Sequence, residues 1–262
     1  KLGYVTNQLA RSLKSGKTHV VGVVMPYCRD PYYSALIDAL SMEALQRKVS
    51  IMLQFHLWSG EEEAAALQRL VEAQVDGIFF YPRGAAASEK LPAAVRQGKV
   101  PVVAIAAKRR SDFFHGLLQK DYQEEGYQAA AEFLRLGHRR IDLLSTNEET
   151  PSQRQRMKGA LLAVRAAGVD ADVRHVSLNA AQLAAVDVAA PAPLEMREAL
   201  FPMLARRYLD EPERGTAVLV GNEAIAWSLM GEASERGVSL PKDLSIIAVG
   251  VKDEGHAGTL PL

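Results

Sequence analysis

Val20-Val21-Gly22-Val23-Val24-Met25-Pro26 is a short β-branched run stopped by a proline, and the helix and strand after it decide the fold. Pro31 to Lys48 reads as a helix, with Leu36, Ile37, Leu40 and Leu45 near 3.6-residue spacing. Asp30 is its natural N-cap, and Pro31 fits the first turn. Ile51-Met52-Leu53-Gln54-Phe55 is the next strand. These strands are continuously apolar and lack the in-out alternation of a half-exposed sheet. Such strands, joined through helices, belong to parallel sheets covered on both faces.

The same rhythm runs outward from this unit. Glu61–Ala73 is an acid-started helix with Leu67, Leu70 and Val71 on one face, and Gly77–Tyr81 is the third strand. Ser88–Gln97 is expected as a helix ended by Gly98, Val102–Ile105 as the fourth strand and Gly116–Gln119 as a short one. Tyr122–Leu136 is a helix closed by Gly137. The pattern then restarts with strands at Ile141–Ser145, Val173–Val176, Ala217–Val220 and Leu244–Val249, and helices at Ser152–Ala167, Glu195–Leu209 and Glu223–Arg236. Asn179–Pro193, rich in Ala and Pro, is expected as a loop or irregular insertion. The fold class is therefore α/β, with two doubly wound parallel-sheet subdomains and an interdomain cleft. The expected division is a lead-in over 1–18, a first subdomain over 19–137 and a second over 138–262. Ligands in such folds bind beyond the carboxyl ends of the strands. That selects the loops Pro26–Tyr33, His56–Gly60, Pro82–Ala87, Thr146–Arg156, Gly221–Glu223 and Gly250–Asp253.

Composition narrows the function. The chain has 262 residues, 48% of them hydrophobic, enough for one large core or two modest ones. With 31 basic and 31 acidic residues it lacks the basic excess of a free-standing nucleic-acid-binding domain. Its one cysteine, Cys28, excludes an internal disulfide framework and is expected in or near a core. No apolar run approaches the roughly 18 residues of a membrane span. The polar start Lys1–Asn7 lacks the apolar region of a signal peptide, so the cytoplasm is the expected compartment. Because Lys1 is not Met, the chain reads as a fragment. No Gly-x-Gly-x-x-Gly comes after the first strand, and neither a phosphate-cradling loop nor a Gly-x-Ser-x-Gly elbow occurs. Histidines 19, 56, 115, 138, 175 and 256 have no metal-ligand spacing. No catalytic residue, cofactor or metal is expected.

The segment before the first strand carries its own information. Asn7 can cap a short helix on which Leu9 and Leu13 lie one turn apart, while Arg11, Lys14 and Lys17 make it basic. Such a helix either packs on the body, which the residues alone favour, or enters a DNA minor groove with a leucine as the wedge.

This segment, Gly3-Tyr4-Val5-Thr6-Asn7 through Ala10-Arg11-Ser12-Leu13, resembles the hinge helix of the lactose/galactose-repressor family, with Thr6 where that family usually has proline. Further motifs resemble the family in order: Val21–Pro26, Arg29-Asp30-Pro31-Tyr32-Tyr33, Val75–Ile78, Glu125-Gly126-Tyr127 with Leu136–Ile141, Arg154–Gly159, Asn222–Ala226 and Leu240–Ile247. The resemblance covers essentially the whole chain. It implies a periplasmic-binding-protein-like (type I) effector domain of a transcriptional repressor. Its partners would be operator DNA, a small-molecule effector such as a sugar, and a second copy in a homodimer, with no membrane.

Carried over position by position, Asn7, Ala10, Leu13 and Lys14 would lie against DNA, with Leu13 in the minor groove. Arg156 and Asn222 match effector contacts, Tyr32 and Tyr33 stand where the family stacks groups on ligand, and Glu124 matches a polar site at the domain crossing. The loops of Asp30 and His56 reach the same expected pocket. The family commonly has an effector-binding aspartate where this chain has Gly250, and Lys252 and Asp253 are displaced from it. Arg156 without that aspartate suggests an acidic metabolite, such as a sugar acid, over a neutral sugar. The helix-turn-helix expected before Leu2 and the family's last elements after Leu262 are missing from this sequence. The rival expectation is a periplasmic sugar-binding transport receptor of the same fold, which has no use for the basic hinge-like segment.

Overall fold

The computed structural model describes residues 16–82, 91–106, 112–146, 150–178 and 200–250. The chain divides into two units between Lys120 and Asp121. The first contains β1 (Val20–Met25), α1 (Pro31–Gln46), β2 (Ser50–Phe55), α2 (Gly60–Glu72), β3 (Gly77–Phe80), α3 (Ala93–Arg96), β4 (Val102–Ile105) and β5 (Gly116–Leu118). Its strands form a parallel sheet in the order β2-β1-β3-β4-β5. Successive side chains along a strand take opposite faces, so a continuously apolar strand fills two cores. Val23 and Met25 pack toward Leu36, Ile37 and Leu40 of α1. Val24 packs with Leu67 and Leu70 of α2 and with Ile78, Phe80 and Val102.

The second unit contains α4 (Tyr122–Arg135), β6 (Arg140–Leu144), α5 (Pro151–Ala167), β7 (Asp172–Val176), α6 (Leu200–Asp210), β8 (Ala217–Val220), α7 (Glu223–Glu235) and β9 (Ser245–Ala248). Its sheet is parallel, in the order β7-β6-β8-β9. Ile141, Leu143 and Leu219 face α4 and α5, whereas Leu144, Val218 and Val220 face α6 and α7. In both sheets the first strand lies between the second and the third. The crevice where the strand order reverses is where such sheets bind ligands. Among the described residues no helix is long and apolar enough to cross a membrane.

Four expectations are corrected. The division falls at Lys120/Asp121, not near residue 137, because α4 buries Ala129, Ala130 and Phe133 against the second sheet. The helix expected over Ser88–Gln97 begins only at Ala93, with Pro92 at its cap, while residues 83–90 lie outside the described residues. A proline disfavours helical backbone in the residue before it, here Leu91. Leu45, placed on the apolar face of α1, is 79% exposed. Cys28 is exposed as well, because it lies on the loop past Pro26 rather than in the strand. The insertion Asn179–Pro193 and the chain after Gly250 lie outside the described residues.

Candidate functional site

Each sheet carries a cluster of side chains at its carboxyl end. On the first unit the cluster is aromatic. Tyr33 meets Tyr81 edge-to-face at a ring separation of 5.1 Å, Tyr27 at 5.2 Å and Tyr32 at 5.5 Å. Trp58 meets Tyr81 at 6.4 Å, again edge-to-face. These residues come after β1, β2 and β3, so the loops at the reversal point of the sheet build the cluster. Lys120 places its Nζ 4.7 Å from the centre of the Tyr32 ring. Tyr32 and Trp58 are half-buried. Tyr33 is buried, and that burial, followed by the neighbouring Tyr81 hydroxyl, pushes its own hydroxyl far above the ordinary tyrosine range. Tyr33 is therefore the floor of the cluster.

Asp30 and His56 hold backbone. The Asp30 carboxylate accepts from the Tyr32 N–H at 2.8 Å and caps α1. Burial raises its pKa, and the Tyr32 N–H and Lys120 oppose that rise. His56 is fully buried, with Nε2 3.1 Å from the Tyr81 carbonyl and Nδ1 3.1 Å from the Trp58 N–H. A carbonyl only accepts and an N–H only donates, so this is the neutral ring with its proton on Nε2. Both ring nitrogens are committed to backbone, and the ring holds a turn in which Leu57 and Trp58 have φ of 47° and 62°.

On the second unit the cluster is polar and begins with two glycines. A Cβ on Gly126 of α4 would strike the carbonyl oxygen of Arg156, and one on Gly159 of α5 would strike that of Gln123. The two helices therefore touch backbone to backbone, which lays Arg156 against α4. Its Nε and Nη2 lie 3.0 and 2.9 Å from Oε2 of Glu125. Tyr122 covers the guanidinium at 4.9 Å from its ring centre. Burial raises the Tyr122 pKa, and the arginine's charge works against that rise. The backbone of Gly221, at the end of β8, closes on the guanidinium so tightly that a Cβ there would lie 2.6 Å from Nη1. Next in sequence, Asn222 caps α7, its Oδ1 accepting from the Ala224 N–H at 2.8 Å. Its amide N–H groups can donate to a ligand, and Oδ1 keeps a second lone pair. The Glu223 carboxylate lies over Gly250, in the space where a side chain at 250 would begin.

Of the effector residues expected from the sequence, Arg156 and Asn222 come to one end of the second sheet. Tyr32 and Tyr33 come together on the first, joined there by the structural Asp30 and His56. Glu124 is exposed, with its carboxylate on Gln128, and its neighbour Glu125 is the acid that meets Arg156. Asn7, Ala10, Leu13 and Lys14 lie outside the described residues. The sequence reading missed Tyr122, Glu125, Trp58, Tyr81 and Lys120. Trp58 stands in a loop already selected, and Glu125 precedes a glycine where two helices touch.

A model of the periplasmic binding protein-like domain matches residues 130–261. The chain belongs to this family. Among periplasmic binding protein-like domains its relatives are lactose-repressor-type transcription regulators. Over 248 residues it is 28% identical to catabolite control protein A of Priestia megaterium, covering 94% of this chain and 69% of that protein. It is 25% identical to the HTH-type transcriptional regulator AscG of Escherichia coli (strain K12), covering 94% and 68%. The fold of the domain matches a putative ribose operon repressor from Burkholderia thailandensis, with a TM-score of 0.68 at 20% identity over 88% of this chain and 79% of that one. It also matches the transcription regulator CcpA of Lactococcus lactis, with a TM-score of 0.67 at 22% identity over 87% and 77%.

Proposed function

We propose that the chain is the effector-sensing portion of a DNA-binding transcriptional repressor, acting as a cytoplasmic homodimer. Its effector is a small metabolite of the sugar class, for which Arg156 and Asn222 are the contacts on the second unit; on the first unit, taken by itself, Tyr32 and Trp58 are the candidate contacts. Asn7, Ala10, Leu13 and Lys14 form a hinge on operator DNA. The observation that carries this reading is the meeting of Arg156 with Gly221, the residue before Asn222, at the reversal point of the second sheet. A guanidinium N–H and an amide there suit a hydroxylated ligand. The regulator names of relatives matching 94% of the chain favour this reading over a transport receptor and over an enzyme.

The test uses the full-length protein and palindromic operator DNA, with affinity read by fluorescence anisotropy. Leu13→Ala should weaken operator binding at least ten-fold (about 1.4 kcal/mol) while leaving effector binding within two-fold, on the scale of losing one minor-groove wedge. Unchanged operator affinity in the variant removes the hinge role. A signal peptide encoded upstream of Lys1 would restore the transport receptor.

A further inference from the structure

We propose that Glu125 sets the charge of the effector: by neutralising Arg156, it makes the polar cluster of the second unit select uncharged, hydroxyl-bearing molecules over anions. This rests on the effector-sensing reading above and reverses the acidic ligand expected from the sequence. On its own, Arg156 with Gly250 in the place of an aspartate is a site with an unanswered positive charge. The fold answers that charge with Glu125 and sets a second carboxylate, Glu223, at the same end of the sheet.

The answer is the ion pair. Nε and Nη2 of Arg156 are turned onto Glu125, with the two side chains 5% and 18% exposed. Burial removes the water that would otherwise screen the pair, so the arginine's charge is spent inside the protein. Tyr122 occupies one side of the guanidinium and the Gly221 backbone another. Nη1, beside Gly221, has no hydrogen-bond partner among the described residues. It is the donor left for a ligand. An anion accepted there would stand across one guanidinium from the Glu125 carboxylate and be repelled by it.

A second carboxylate, that of Glu223, stands at the same end of the sheet. Two residues beyond Gly221, Glu223 carries this carboxylate over Gly250, in the space that a Cβ at 250 would occupy. The acid missing from position 250 is thus supplied from the first turn of α7. Among the described residues, the carboxylates of Glu125 and Glu223 and the guanidinium of Arg156 stand at this end of the sheet. A hydroxyl group, which both accepts and donates, matches an N–H donor beside a carboxylate. A carboxylate or phosphate group does not.

Isothermal titration calorimetry of the chain tests this with D-glucose against D-glucuronate, D-galactose against D-galacturonate, and inorganic phosphate. The wild type should bind neither acid more tightly than its neutral partner and should show no phosphate binding. Glu125→Gln should bind phosphate and the uronates at least ten-fold more tightly than the wild type, and Arg156→Gln added to it should abolish that gain. Equal phosphate affinity in wild type and Glu125→Gln, including none in either, overturns the proposal. So does a wild type that prefers a uronate. Should Glu125→Gln not fold, the wild type decides through thermal shift. Phosphate at ionic strength matched with chloride should leave its Tm unchanged, and a rise overturns the proposal. If no member of the panel alters operator affinity, the effector-sensing reading fails for these ligands, while the phosphate comparison still decides the role of Glu125.

Discussion

His56 shows how a polar residue in a candidate loop can hold backbone with both ring nitrogens. Its ring joins the Tyr81 carbonyl to the Trp58 N–H, and so fixes a turn whose two left-handed residues would each cost about 1–2 kcal/mol without support. In His56→Ala both backbone groups lose a buried partner. The expected loss is about 2–4 kcal/mol from the unmet groups and the cavity, read by urea unfolding. In a Trp227→Phe background, the emission of Trp58 should also shift to the red. Unchanged emission would show that the turn holds without the ring. Asp76 is the second residue whose work is on backbone. It accepts from the N–H groups of Thr18 and His19 at 2.8 Å each and so anchors the lead-in to β1. Slight burial raises its pKa, but these donors outweigh that and hold it below the ordinary value. A depressed pKa means stability that is present above the unfolded value, about 3.9, and is lost as pH falls through the folded one. Asp76→Asn should therefore lower Tm at pH 7, and the gap to wild type should close below about pH 4. A gap constant from pH 7 to pH 3 would contradict the anchoring role.

At the scale of elements, the crossing of α4 and α5 is the step that makes the polar cluster. Leucines or alanines at both contact points would hold the helices apart. Gly126 and Gly159 let the carbonyls of Arg156 and Gln123 lie where a Cβ would stand. The same contact delivers Arg156 to Glu125 and pulls α4 into the second unit. Gly159→Ala should cost about 1–3 kcal/mol or more, because the clash is with backbone and no side chain can move aside. It should also weaken effector binding although residue 159 touches no ligand. A Tm within one degree of wild type would mean that the helices separate without strain. Gly231, with nothing near its Cβ position, is the matched control.

At the scale of the molecule, each sheet has its own two cores. Leu219 is 2% exposed and packs with Ile141, Leu143 and Phe133 under α4 and α5. Leu219→Ala should cost about 2–5 kcal/mol. Amide hydrogen exchange should then quicken across β6 to β9 more than across β1 to β5, since local stability tracks contiguous packed units. Uniform acceleration through both sheets would show one cooperative body instead.

The alternation of strands and helices, the two parallel sheets and the cap at Asp30 were legible in the sequence. Each arises from neighbours a few residues apart, through period, β-branching and capping chemistry. The sequence also marked Arg156 and Asn222, because their motifs are local. It did not show that α4 belongs to the second unit, since a helix between two sheets carries no mark of which it will cover. Nor did it show that Arg156 meets Glu125 rather than Glu124. Those neighbours differ by about 100° around the helix, and only the approach of α5 selects one. Position 250 obeyed the same rule. Its missing carboxylate was plain from the sequence, but its return from Glu223 depended on two chain segments meeting at the end of a sheet. Local order set the elements and the chemistry available. Tertiary contact decided which charges were left for a ligand, because a charge is spent or kept according to what is packed against it.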